Sequence, residues 1–236
     1  DRVRQILYNI ERKNMERGMS MMKSSVKKIG ALVAAAVMVC AIFVGCGSSK
    51  YDTSTPDGAL MTQLDALKTG DFSQLEGYSK EAIEETGFTE AQLKDLMTSL
   101  FGKSTYTAQN VETVSDTEAK VTVSGKAVDM SKFIPIVSTE FLAKATEFAT
   151  KNDTTNMTAE EAQKQVMALF IDAAKAKKSS IELKDVTVTV TMEKKDGKWD
   201  VSSDDDNMNS LTELLAGSTT EELVESMQGL FGGSFA

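Results

Sequence analysis

Histidine is absent from this 236-residue chain. With it go the Ser-His-Asp and Cys-His nucleophile systems, the imidazole ligand of zinc and the proton shuttle that titrates near neutral pH. Arginine is confined to Arg2, Arg4, Arg12 and Arg17, so nothing beyond them offers the planar fork that grips phosphate or carboxylate through two parallel bonds. Cysteine is limited to Cys40 and Cys46, and proline to Pro56 and Pro135. Aromatic residues make up only 6%, which leaves little material for a recognition pocket. The net charge of −9 is unevenly spread: residues 1–45 carry 8 basic and 3 acidic groups, and the rest 18 basic and 32 acidic. A body at −14 without arginine is a poor partner for nucleic acid, whose affinity comes mainly from neutralising phosphates.

What is present begins with Ile29 to Val44, 16 uncharged residues. That is short for a ~20-residue bilayer span and close to the apolar core of a signal peptide. Lys23, Lys27 and Lys28 precede it as a basic region, and Phe43-Val44-Gly45-Cys46 followed by Gly47-Ser48-Ser49 closes it. This succession resembles the bacterial lipoprotein signal, in which Leu, a small residue and Gly or Ala lead to the cysteine that is acylated. Phe43 and Val44 depart from that pattern; Gly45 and Cys46 fit it. The resemblance implies that Cys46 becomes residue one of the mature chain, carries lipid and anchors it to the membrane, while Cys40 leaves with the signal. No thiol or disulfide then remains to staple the fold. Met15, Met19, Met21 and Met22 crowd upstream, and Glu16-Arg17-Gly18 would be written in purine-rich codons. Residues 1–20 are therefore expected to be an over-extended start, with 21–45 the signal peptide and 46–55 a lipidated tether.

The remaining stretch is long enough for one domain with a sizeable core. Thr55-Pro56-Asp57 writes a helix start, Leu60, Met61, Leu64 and Leu67 its apolar face, and Gly70 its stop. A short helical stretch is expected over residues 79–85, then a third helix capped by Thr89 with Gln92. From Ser104 the apolar period falls to two, predicting a hairpin from Tyr106–Val114 and Ala119–Val128. Two helices interrupt: one with Phe133, Val137, Phe141, Ala145 and Phe148 inward and Pro135 near its first turn, the other capped by Thr158 with Glu161, with Val166, Leu169, Phe170 and Ala173 inward. A second hairpin turns at Asp196-Gly197, its Val186, Val188, Val190 and Met192 alternating with Thr187, Thr189 and Thr191. Beyond it, Asp204-Asp205-Asp206-Asn207 reads as a solvated acidic linker. Counted as an EF-hand loop it fails, since its sixth position is Asn209 and its twelfth Leu215. Two short amphipathic helices, 210–216 and 219–231, each opened by a capping box (Ser210 with Glu213, Thr219 with Glu222), complete the chain.

Helices first, a hairpin, an interruption and a closing hairpin ending on Gly197-Lys198-Trp199-Asp200-Val201 resemble the cystatin-like and nuclear-transport-factor-two-like superfold. The run from Pro56 through Leu67-Lys68-Thr69-Gly70-Asp71-Phe72 is similar to the opening of uncharacterised Firmicutes lipoproteins. The resemblance implies an α+β fold over residues 56–203: N-terminal helices on a curved antiparallel sheet of about four strands forming a cone, with a helical insertion between the hairpins. Residues 204–236 follow as linker and C-terminal helices.

That superfold hosts isomerases, dehydratases and many binding modules, so fold alone does not set function. An enzyme of this shape needs a titratable group inside the cone, and here alternation sends Glu193 and Asp200 outward while Glu161 caps a helix. Tyr106 and Trp199 are the candidates to line a pocket. The expectation is a lipid-anchored, extracytoplasmic, non-catalytic binding or assembly module of the cell envelope. It would have no cofactor, metal or nucleic acid, and its partners would be the membrane through Cys46 and an envelope protein. The alternative is a small-molecule-binding or weakly catalytic cone; a transporter's two-lobed binding protein needs a longer chain.

Overall fold

A computed structural model describes residues 50–71, 89–152 and 157–231. The first helix, α1 (Pro56–Thr69), starts where Thr55 accepts a hydrogen bond from the Gly58 N–H and stops at Gly70, whose φ of 62° suits glycine. Leu60 and Leu64 are fully buried, and even Thr62 and Gln63 are covered. This helix is enclosed rather than amphipathic because it lies between α2 (Glu90–Phe101) and the inner face of the sheet. The expected box of Thr89 and Gln92 opens α2, with Leu96, Met97, Leu100 and Phe101 buried. The stretch expected over residues 79–85 lies outside the described residues.

The sheet has four antiparallel strands in the order β1 (Thr105–Ser115), β2 (Glu118–Val128), β3 (Leu183–Lys195) and β4 (Lys198–Val201). Val121 pairs with Val190 and Val123 with Val188, so the predicted period of two puts valines on one face. Thr122 and Thr189 share the other face, their hydroxyls 3.2 Å apart. That face is solvated, as one side of an antiparallel sheet can be. Asp196 and Gly197 both have positive φ, 51° and 82°, as a two-residue hairpin of the type I′ kind requires.

Between β2 and β3 the chain leaves the sheet as a helical hairpin, α3 (Met130–Lys151) and α4 (Ala159–Lys177), and returns to the point it left. Val128 pairs with Leu183, and the Asp129 N–H donates to the Glu182 carbonyl at 2.9 Å. Phe133, Val137, Phe141 and Ala145 are buried along α3 as expected. On α4 the buried positions are Met167, Ile171, Ala173 and Ala174, whereas Val166, Leu169 and Phe170 are half-buried: the covered stripe is rotated from the one anticipated.

The acidic linker is not a linker. Asp204 is the cap of α5 (Asp205–Ala216), accepting from the Asn207 N–H at 2.9 Å, and Asp205 and Asp206 occupy the first turn, where the helix dipole favours negative charge. The helix expected from Ser210 thus begins a turn and a half earlier, and Ser210 donates to the Asp206 carbonyl from mid-helix instead of capping. Leu211, Leu214, Leu215 and Ala216 are buried, so α5 belongs to the core. The last helix, α6 (Thr220–Phe231), has its expected box of Thr219 and Glu222 and packs on α3.

Candidate functional site

Cys46, with Phe43, Val44 and Gly45, lies outside the described residues, as does Cys40. Among the described residues no helix is long and apolar enough to cross a membrane, and no group of three acidic or sulfur ligands is placed to hold a metal. The two aromatics proposed for a pocket are not brought together. Tyr106 sits on β1 opposite Gly125, and Trp199 on β4 opposite Lys194, so they occupy the two edge strands. Projected onto β3 they fall at Val186 and Lys194, eight residues or roughly 26 Å apart at ~3.3 Å per residue. Both rings are buried. Tyr106 lies where the chains approach closely: a Cβ on Gly125 would stand 1.8 Å from the Thr105 carbonyl oxygen.

Trp199 holds the segment that leads to Cys46. Its indole N–H donates to the Ser54 carbonyl at 3.1 Å, and the Lys194 ammonium stands 5.5 Å from its ring centroid on the same face. Around this bond the incoming chain is fastened at several points. Asp52 accepts from the Ser54 N–H and hydroxyl and, through its carbonyl, from Thr55. That carbonyl rests on the first turn of α1, where a Cβ on Gly58 would lie 1.9 Å from it. Tyr51 packs against the core. The chain is therefore fixed to the body from Tyr51 onward, five residues earlier than the helix start marked by Pro56.

Beside Trp199, Asp200 corrects the expectation from alternation. It is on the outward side of the ladder, opposite Glu193, yet only 9% exposed. β4 is an edge strand, and the side chain folds along its free edge: Oδ1 accepts from the Val201 N–H at 2.8 Å and from Gln63 Nε2 of α1 at 3.1 Å. Burial pushes its carboxyl above the usual carboxylate value, against the pull of those two donors. Glu193 accepts from the Ser202 hydroxyl at 2.6 Å, which with Lys195 holds its carboxyl low. Asp204, 2.9 Å from the same hydroxyl, is held low first by the Asn207 N–H.

Sequence reasoning missed Asn207. Its amide donates to the Thr191 carbonyl at 3.0 Å and the Ser202 carbonyl at 2.7 Å, and its Oδ1 accepts from the Thr191 N–H at 2.6 Å. One side chain thus continues the β3 ladder where four-residue β4 ends, protecting an edge that would otherwise offer free backbone groups. The cue was there as a lone amide after three aspartates, but only the return of α5 across β3 gives it meaning.

A family model for a domain of unknown function, DUF5105, matches residues 53–216. The chain belongs to this family. The DUF5105 match opens at the fastened segment and closes at the end of α5. No curated protein matches the chain. Among solved structures it is similar to the putative lipoprotein ycdA of Bacillus subtilis, at 22% identity and a TM-score of 0.39, over 66% of this chain. The chain spans 45% of that protein's length.

Proposed function

We propose that this DUF5105 chain is a lipid-anchored lipoprotein of the extracytoplasmic face, whose body is a non-catalytic binding or assembly module of the cell envelope. The observation that carries the reading is the succession of Lys23, Lys27 and Lys28, the uncharged residues 29–44 and Gly45-Cys46, with the body beginning only a few residues later. Two or more acyl chains on Cys46 suffice for stable anchoring, since each buried methylene contributes about 0.8 kcal/mol and a single chain binds only marginally.

The carboxylates support the non-catalytic half. Asp129 and Asp204 cap helices, Glu161 closes a capping box, Glu193 fixes a loop hydroxyl and Asp200 covers a strand edge. Each of these five carboxylates is thus engaged in holding the fold. The cystatin-like cone remains part of the proposal: α1 on the inner face of a four-stranded antiparallel sheet is the arrangement that superfold calls for.

Metabolic labelling with a fatty acid tests the anchor. Cys46→Ser is expected to leave an unlabelled precursor, while Cys40→Ser incorporates label and is processed as the parent chain is. Equal labelling of the two variants would remove the assignment.

A further inference from the structure

The way the body is fastened determines how it can stand on a membrane, granted the lipid on Cys46. If nothing up to the start of α1 were fixed, nine residues would separate the lipidated cysteine from the body and the domain could turn freely. The structure shortens that leash. Trp199 binds the Ser54 carbonyl, Asp52 closes a turn onto Thr55 and seats its carbonyl on Gly58, and Tyr51 packs on the core. Residues 47–50 are what remains, and the five Cα steps from Cys46 to Tyr51 reach at most about 18 Å at ~3.6 Å each. The body is roughly twice that long: β3 alone, from Leu183 to Lys195, extends about 40 Å at ~3.3 Å per residue.

The fastened segment meets the sheet at its β4 edge, beside the tip of the β3–β4 hairpin. The β1–β2 turn joins this end where the Lys194 N–H donates to the Thr117 carbonyl. The leash therefore selects this end as the one nearest the bilayer.

We infer that the end formed by Tyr51, the first turn of α1 and the β3–β4 hairpin is the membrane-facing surface, apposed to phospholipid headgroups. The opposite end of the sheet, at Leu183 and Lys184, is held away from the bilayer. The solvated threonine face and the α3–α4 hairpin are then presented sideways and outward, where an envelope partner can reach them.

The test uses the lipidated full chain, extracted from a bacterial membrane and reconstituted in vesicles of phosphatidylethanolamine and phosphatidylglycerol carrying a headgroup nitroxide. A fluorophore is placed on Lys195→Cys or on Lys184→Cys, two exposed positions on one strand, about 36 Å apart along it at ~3.3 Å per residue. Vesicle flotation reports the anchor, and quenching reports the orientation. The expected result is flotation of both variants with quenching at Lys195→Cys several-fold stronger than at Lys184→Cys. Ten Gly-Ser residues inserted between Ser49 and Lys50 should shrink that contrast. A floating chain with equal or reversed quenching overturns the orientation and leaves the anchor standing. A chain that stays in the soluble fraction overturns both.

Discussion

Asp200 shows how one residue can obey its strand and still be misread. The alternation Trp199, Asp200, Val201 is regular, and the ladder places Asp200 opposite Glu193 as the period requires. What the period does not carry is that β4 is an edge strand with α1 beside it, so the outward position is covered by Gln63. The pH consequence follows from the direction of the shift. Because the folded-state pKa is raised, the stability that Asp200 contributes is fully present below its unfolded value, ~3.9, and is lost as pH rises through the folded value. Asp200→Asn keeps the acceptor for Val201 and Gln63 and removes the buried charge. It is expected to melt higher than the parent at pH 7, with the gap closing toward pH 3; a lower melting temperature at pH 7 would mean that the ionised carboxylate has a favourable partner. Asp129 runs the other way. Burial disfavours its ionised form, but the Ser131 hydroxyl, the Lys132 N–H and the Lys132 ammonium outweigh it and hold the pKa low. Its contribution is present above the unfolded value and fades as pH falls through the folded one.

Among the elements, capping was the most legible signal. Thr55, Thr89, Thr158 and Thr219 each open a helix where Thr-x-x-Gln/Glu or Thr-Pro stands in the sequence. The strands were legible too, because valine and threonine alternate without a break from Val186 to Thr191 in β3. Elements were misplaced where tertiary contact sets the boundary. Pro135 is the sixth residue of α3, not part of its first turn, and its missing N–H leaves the Ser131 carbonyl without its helical donor. The Ser226 hydroxyl of α6 stands 3.2 Å from that carbonyl and 2.8 Å from Glu222's, one proton between two acceptors, so a distant helix supplies what the local sequence lacks. Asn207 does the same for β3. Asn207→Ala strips the partner from the Thr191 N–H and from the Ser202 carbonyl, while the Thr191 carbonyl keeps the Ser202 N–H, and each buried group left unpaired costs about 1–3 kcal/mol. We expect a loss of several kcal/mol in denaturant unfolding, against less than about 0.5 kcal/mol for a surface change such as Ser180→Ala. Similar losses for the two would show that the edge tolerates being open.

At the scale of the whole molecule, the sequence showed the α+β class and the four strands, and the α5 contribution to the core came only with the structure. The aromatic pair offered as a pocket is split between the two edge strands, and one of its members instead ties the segment that follows Cys46 to the sheet. Composition told of that pair's rarity but not of its geometry, since residues on different strands meet or part according to strand order. What binds the account together is the proposed lipid on Cys46, which would account for the uncharged run before it and the short leash into a fastened segment. The intact mass of the chain extracted from membranes of cells making it from its own gene tests this most directly. The account predicts a polypeptide that begins at Cys46 and is heavier than residues 46–236 by a diacylglyceryl group, with or without a further acyl chain. An unmodified Cys46, or a chain that retains residues 29–44, would contradict it.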